Sequence, residues 1–181
     1  MLIRREVPAD VDRIDEVHRS AFAGGAPDGG EPIAPGGAEP VEVGLVHALR
    51  ADAGWVPALS LVAEDGSGTV VGHVVCSEGS VDGTPVVGLG PIGVLPQLQR
   101  TGVGRALMHA VIAAADALDY PLVILLGHLD YYPQFGFEPA SALGVEAPDP
   151  RWGDHFQARR LAGWSPELRG AFRYASPFEA L

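Results

Sequence analysis

The strongest constraint on how this chain can fold is the stretch Leu95-Pro96-Gln97-Leu98-Gln99-Arg100-Thr101-Gly102-Val103-Gly104-Arg105. An apolar run, residues 85–94, leads into it, and an apolar-periodic segment, residues 104–118, leads out. The order is strand, tight turn with two glycines, helix. A turn of this kind aims unpaired backbone N–H groups at one point, and the helix dipole adds partial positive charge there. It is a cradle for an anion such as a phosphate or pyrophosphate. Gly102 and Gly104 have no Cβ, so a ligand can approach the main chain closely.

A second glycine pattern overlaps it. Gly88-Leu89-Gly90-Pro91-Ile92-Gly93 matches the dinucleotide fingerprint G-x-G-x-x-G. That fingerprint carries meaning only where a helix opens within it. Pro91 removes an N–H donor, and Pro96 and Gly102 interrupt any helix beginning near Gly93. A nucleotide-binding oxidoreductase is therefore the weaker reading.

Three pieces together carry a family resemblance. Gln99-x-x-Gly102-x-Gly104, after a strand and opening a helix, resembles the acetyl-CoA signature of the Gcn5-related N-acetyltransferases. Leu89-Gly90-Pro91-Ile92-Gly93-Val94-Leu95-Pro96 is similar to the fourth strand of that fold. Tyr131-Tyr132-Pro133-Gln134-Phe135-Gly136-Phe137 is similar to its later helix, which ends in Gly-Phe before the sixth strand. The pieces keep the family's order and spacing, and the likeness is nearest to the YhbS-like branch. It implies a single α/β domain over residues 1–161, with a tail, 162–181, packed on it. Its mixed sheet would be antiparallel in the first half and carry a splayed parallel pair at the centre.

The resemblance also implies roles. Acetyl-CoA would be the co-substrate, its pyrophosphate on the backbone of Gly102, Val103, Gly104 and Arg105, with charge from Arg100 and Arg105. Gln99 and Thr101 complete the turn. Pantetheine would lie along the fourth strand, on backbone groups of Ile92 and Val94, where Pro91 and Gly93 suit a bulge or an ordinary kink. Tyr132, five residues before Phe137, takes the place of the family's catalytic tyrosine; a phenol can protonate a departing thiolate. Tyr131 is expected to face elsewhere. The expected reaction is direct attack of a primary amine, small or peptidic, on acetyl-CoA in a ternary complex. A non-catalytic acyl-CoA-binding module is the alternative. The resemblance admits a homodimer.

An alkylamine of pKa ~10.4 is only about one part in a thousand neutral at physiological pH, so a base is needed. Glu78, His73, Glu64 and Asp82 are the candidates, with Glu78 taken first. His73 and Glu78 share a strand and point to opposite faces.

Composition sets the outer bounds. The 181 residues suit one domain, and 47% apolar content supports a core. A net charge of −11 argues against nucleic acid as a partner. All twelve basic residues are arginine. No apolar run approaches the ~20 residues of a membrane span, and Met1-Leu2-Ile3-Arg4-Arg5 lacks a signal-peptide core. The expectation is a soluble cytoplasmic protein with no membrane partner. The six scattered histidines lack metal-ligand spacing, so no metal is expected. Cys76 reads as a buried small hydrophobe. Residues 23–40, dense in Gly, Pro and Ala, read as a loop, either an acceptor lid or a disordered insertion.

Overall fold

The computed structural model describes residues 1–23 and 39–180, so the loop expected at 23–40 lies mainly outside the described residues. The chain opens with strand β1 (Leu2–Arg5) and helices α1 (Val11–Phe22) and α2 (Val41–Ala51). A meander follows: β2 (Trp55–Glu64), β3 (Val70–Val81) and β4 (Thr84–Val94). Helix α3 (Val103–Ala117) leads to β5 (Leu122–Leu126). Short strands β6 (Glu138–Pro139) and β7 (Val145–Glu146) precede β8 (Phe156–Arg160) and β9 (Gly170–Arg173). The sheet runs β1-β2-β3-β4-β5-β8-β6, antiparallel except for β4 and β5, which are parallel.

Local chemistry explains the meander. Asp82 (φ 47°) and Gly83 (φ 82°) both sit in the left-handed region between β3 and β4. That backbone matches the twist of a tight hairpin, and Asp-Gly tolerates it. The tail forms more structure than its sequence suggests: Phe172 and Arg173 of β9 pair with Val81 and Ser80. Tyr174 then packs over Gly88, where a Cβ would meet its ring at 2.8 Å.

The two faces of the sheet are covered by different helices. A Cβ at Gly72 would lie 3.1 Å from both Val103 and Leu107 of α3. A Cβ at Gly93, beside His73 on the opposite face, would touch His18 and Val17 of α1. Helix α3 buries Val103, Leu107, Met108, Val111, Ile112 and Ala115, an i, i+4 pattern that makes one apolar stripe. Leu107 is fully buried, so truncating it to alanine would cost about 2–5 kcal/mol.

Two features of β4 position the site. Between Val74 and Cys76 of β3 the partner residues jump from Ile92 to Leu89, so β4 carries an extra residue at Gly90-Pro91. This is a bulge rather than a plain kink. On its other side, β4 pairs with β5 only at Val87–Val123 and Gly88–Ile124. Residues 89–94 leave β5 behind, giving an open edge of about 20 Å that points at the start of α3. The pattern G-x-G-x-x-G at 88–93 lies within this strand and opens no helix.

Candidate active site

The turn after β4 is built by side chains that hold it and by backbone that only glycine favours. Gln99 Nε2 donates to the Val94 carbonyl at 3.1 Å. The Thr101 hydroxyl donates to the Leu98 carbonyl at 2.7 Å. Arg100 (φ 62°) and Gly102 (φ 101°) are left-handed, which reverses the chain. Gly102 caps α3, and the bond from Ala106 N–H to the Gly102 carbonyl closes its first turn. The N–H groups of Val103, Gly104 and Arg105 precede that bond and have no helical acceptor.

A cavity of about 470 Å³ opens over this turn, lined by Val94, Gln99, Arg100, Thr101, Gly102, Gly104, Arg105 and Tyr131. In a chain of net charge −11, this lining holds two guanidinium groups and no carboxylate. Its electrostatics suit a polyanion. The structure therefore gathers Val94, Gln99, Arg100, Thr101, Gly102, Gly104 and Arg105 around one space. The Val103 side chain is buried in the core, so only its backbone is available there. Ile92 and Gly93 lie along the open edge of β4.

One of the two tyrosines differs from the expectation. Tyr131 does not face elsewhere. It lines the cavity, with its hydroxyl 3.2 Å from where a Gly104 Cβ would stand. Burial raises the pKa of its phenol, so it remains a donor. Tyr132 is buried under the end of β5, where a Cβ at Gly127 would fall 2.1 Å from its ring. Its ring also packs edge-on against Tyr131 and Phe137. The cause is the cramped first turn at Pro133: adjacent residues there project to different sides, one to the cradle and one beneath β5.

Glu78 is not brought to these residues. It pairs with Val87, in the part of β4 that β5 closes, on the face covered by α3. Its carboxylate accepts from the Tyr120 hydroxyl at 2.8 Å, beyond the far end of α3. Burial and the Glu78 carboxylate together push that phenol up to about 12. Glu78 stands six residues along β3 from Gly72, about 20 Å from the end that meets the cradle. The other carboxylates are also engaged elsewhere: Glu64 pairs with Arg4 at 2.5 Å, and Asp82 holds the β3–β4 turn beside Gly170. His73 faces α1, buried in a polar cluster that nothing in the local spacing signals. Cys76 is buried as expected, and burial pushes its thiol well up, away from reactivity.

Among the described residues no group of histidine, cysteine and carboxylate side chains could hold a metal ion, and no helix is long and apolar enough to cross a membrane.

An open strand edge running into an anion cradle defines an acyltransferase type of site, and the relatives agree. Residues 38–137 match the family model "Acetyltransferase (GNAT) family". The chain is 34% identical over 164 residues to the Escherichia coli (strain K12) protein "Uncharacterized N-acetyltransferase YhbS", covering 90% of this chain and 88% of that one. The crystal structure of Escherichia coli YhbS in complex with CoA superposes with a TM-score of 0.79 at 30% identity, over 98% of this chain and 91% of that one. A GNAT family acetyltransferase from Brucella melitensis in complex with acetyl-CoA gives 0.71 at 31% identity, over 98% and 97%. This chain belongs to the GNAT family of acetyltransferases.

Proposed function

We propose that the protein transfers the acetyl group of acetyl-CoA to a primary amine by direct attack in a ternary complex. The observation that carries this reading is the continuous path from the open edge of β4 to the N-terminus of α3. The pyrophosphate of the coenzyme occupies the cradle, on the N–H groups of Val103, Gly104 and Arg105, with Arg100 and Arg105 beside it. Pantetheine takes the strand position that β5 vacates, on backbone groups of Ile92 and Val94. The bulge at Gly90-Pro91 turns main-chain N–H toward the thioester carbonyl, where developing negative charge is stabilised.

Tyr132 is the acid in this reading. Its ring is held beneath Gly127, at the mouth of the gap between β4 and β5, and its phenol protonates the departing thiolate. Relatives with CoA and acetyl-CoA bound support the choice of co-substrate. The decisive experiment measures acetyl-CoA consumption against a mixed panel of primary amines, alongside calorimetric titration with acetyl-CoA. Binding with amine-dependent consumption is expected. Binding with no consumption for any amine indicates a carrier module; no binding at the cradle ends the proposal.

A further inference from the structure

Beneath β4, on the face covered by α1 and α2, five side chains meet, four from α1, α2, β2 and β3 and one, Glu6, from the loop after β1. The Glu6 carboxylate accepts from Arg50 Nε at 2.8 Å, from Arg50 Nη2 at 3.1 Å and from the Ser60 hydroxyl at 2.5 Å. It also lies 3.3 Å from His73 Nε2. Ser60 Oγ, having given its proton to Glu6, can only accept from His73 Nε2 at 2.9 Å, so that nitrogen carries hydrogen. His73 Nδ1 is then bare. His18 Nε2 stands 2.8 Å from it and must be the donor. The hydrogen-bond chain thus assigns one tautomer to both rings and leaves His18 Nδ1 as a free lone pair.

That nitrogen has no hydrogen-bond partner among the described residues, and His18 and His73 are both 0% exposed. A buried acceptor left unpaired calls for a reason. Its position supplies one. A Cβ at Gly93 would come within 3.0 Å of His18 Nδ1, so the lone pair looks at the backbone of β4 within the stretch that β5 leaves open. Glycine at 93 puts no side chain between them.

We propose that Glu6, His73 and His18 form a directional relay whose terminal atom, His18 Nδ1, accepts the proton released when an amine attacks at the open edge of β4. The proposal rests on the acetyl-transfer reading above. An N–H bond of the attacking nitrogen breaks and His18 Nδ1–H forms, through one solvent water. His18 Nε2–H breaks as His73 Nδ1–H forms. His73 keeps its Nε2–H and becomes an imidazolium beside the Glu6 carboxylate. The new amide C–N bond replaces the thioester C–S bond, and the thiolate takes a proton from Tyr132. After product leaves, the same path run backward returns the proton to water, and the Tyr132 phenolate takes a proton back from water. Glu6 and His73 are positioning residues; they set which His18 nitrogen is bare.

The surroundings keep the relay empty. Burial first, then His73 and Arg50, lowers His18 to about 3. Burial also lowers His73, against the pull of Glu6 and more distant Asp10, with Arg50 adding to the depression. Burial alone would raise Glu6, but hydrogen bonds from His73, Arg50 and Ser60 outweigh it and hold the carboxyl at about 2. Strand β4 contributes no titratable side chain, and Asp15 on α1 is turned to His47 and Arg19.

Nitrogen-15 NMR of the intact protein at neutral pH reads the tautomers. Both rings should carry hydrogen on Nε2 and a bare Nδ1; a His18 ring protonated on Nδ1, or an imidazolium at either position, overturns the relay. His18→Phe, which keeps a ring of similar size, should lower kcat about 100-fold while the Kd for acetyl-CoA stays within about threefold. The defect should shrink as pH rises and with weakly basic amines, whose N–H becomes acidic enough on attack to pass its proton to water unaided. A loss equal at every pH and for every amine, or no loss, ends the proposal. Should that variant fail to fold, Glu6→Gln keeps the volume and should lower kcat about tenfold while mixing the His73 tautomers; unchanged kcat and tautomers overturn the relay. Wild-type protein that consumes acetyl-CoA with no amine ends both readings, whereas an active wild type with an unaffected variant ends the relay alone.

Discussion

The edge of β4 and the ground beneath it are built by opposite means. The cradle is a single stretch of backbone, residues 99–105, held open to solvent and shaped by two left-handed residues. The polar cluster below draws on Glu6, His18, Arg50, Ser60 and His73, side chains from four elements and the loop after β1, largely withdrawn from solvent. A backbone site recognises charge and shape, and it works through N–H groups that no substitution removes, except proline. A side-chain cluster can move a proton, and it depends on every member. The difference separates affinity from chemistry: one region should govern how tightly the coenzyme binds, the other how the reaction responds to pH.

The largest effect tests the acid of the proposed reaction. Tyr132→Phe should lower kcat about 100-fold and leave the acetyl-CoA Kd within about twofold; an unaltered kcat with a good acceptor removes Tyr132 as the acid. Next comes the cradle. Gly104→Val fills the cavity floor and meets the Tyr131 hydroxyl, so calorimetry should show affinity for acetyl-CoA falling about 30-fold, or 2 kcal/mol, with the melting curve little changed. Unchanged affinity would dissolve the distinction between the two regions.

Acid titration probes the lower region alone. A histidine whose folded pKa is depressed binds its proton in the unfolded chain first. Stability contributed this way is whole above the ordinary value of 6.5 and lost as pH falls toward about 3 for His18. Chemical denaturation should therefore show stability falling below pH 6.5, by up to about 1.4 kcal/mol per pH unit for each such histidine. His18→Phe should flatten that slope, and Gly104→Val should leave it alone; a parallel slope in both variants contradicts the division. Tyr131→Phe removes one donor at the cavity and should weaken acetyl-CoA binding about fivefold, with kcat intact. The smallest effect belongs to Glu78→Gln. Its carboxylate serves Tyr120 at the closed end of β4, so steady-state turnover should stay within about twofold of wild type; a 100-fold loss would restore it as the base.

These outcomes bear on how much the chain discloses before it folds. The meander, α3 and the parallel β5 follow from apolar periodicity and from Asp82-Gly83, because those signals are local. The cradle follows for the same reason, since its ligands would be backbone atoms of neighbouring residues. Tyr131 was misplaced because its direction depends on the twist of a short turn at Pro133. Strand β9 had no periodic signature of its own; it exists because β3 runs past β2 and leaves an edge at Ser80 and Val81. Nothing in the spacing of residues 6, 18, 50, 60 and 73 signals a cluster.

The amino-acid order by itself determined the sheet, the kink in β4 at Pro91 and the glycine turn that follows, since each arises from dihedral preferences and hydrophobic pattern within a few residues. Only tertiary structure decided that β5 would part from β4 after Gly88, that Tyr131 would reach the cradle, and that two histidines 55 positions apart would share a hydrogen bond. Those outcomes depend on how helices and strands pack across the sheet, and packing is a property of the whole chain.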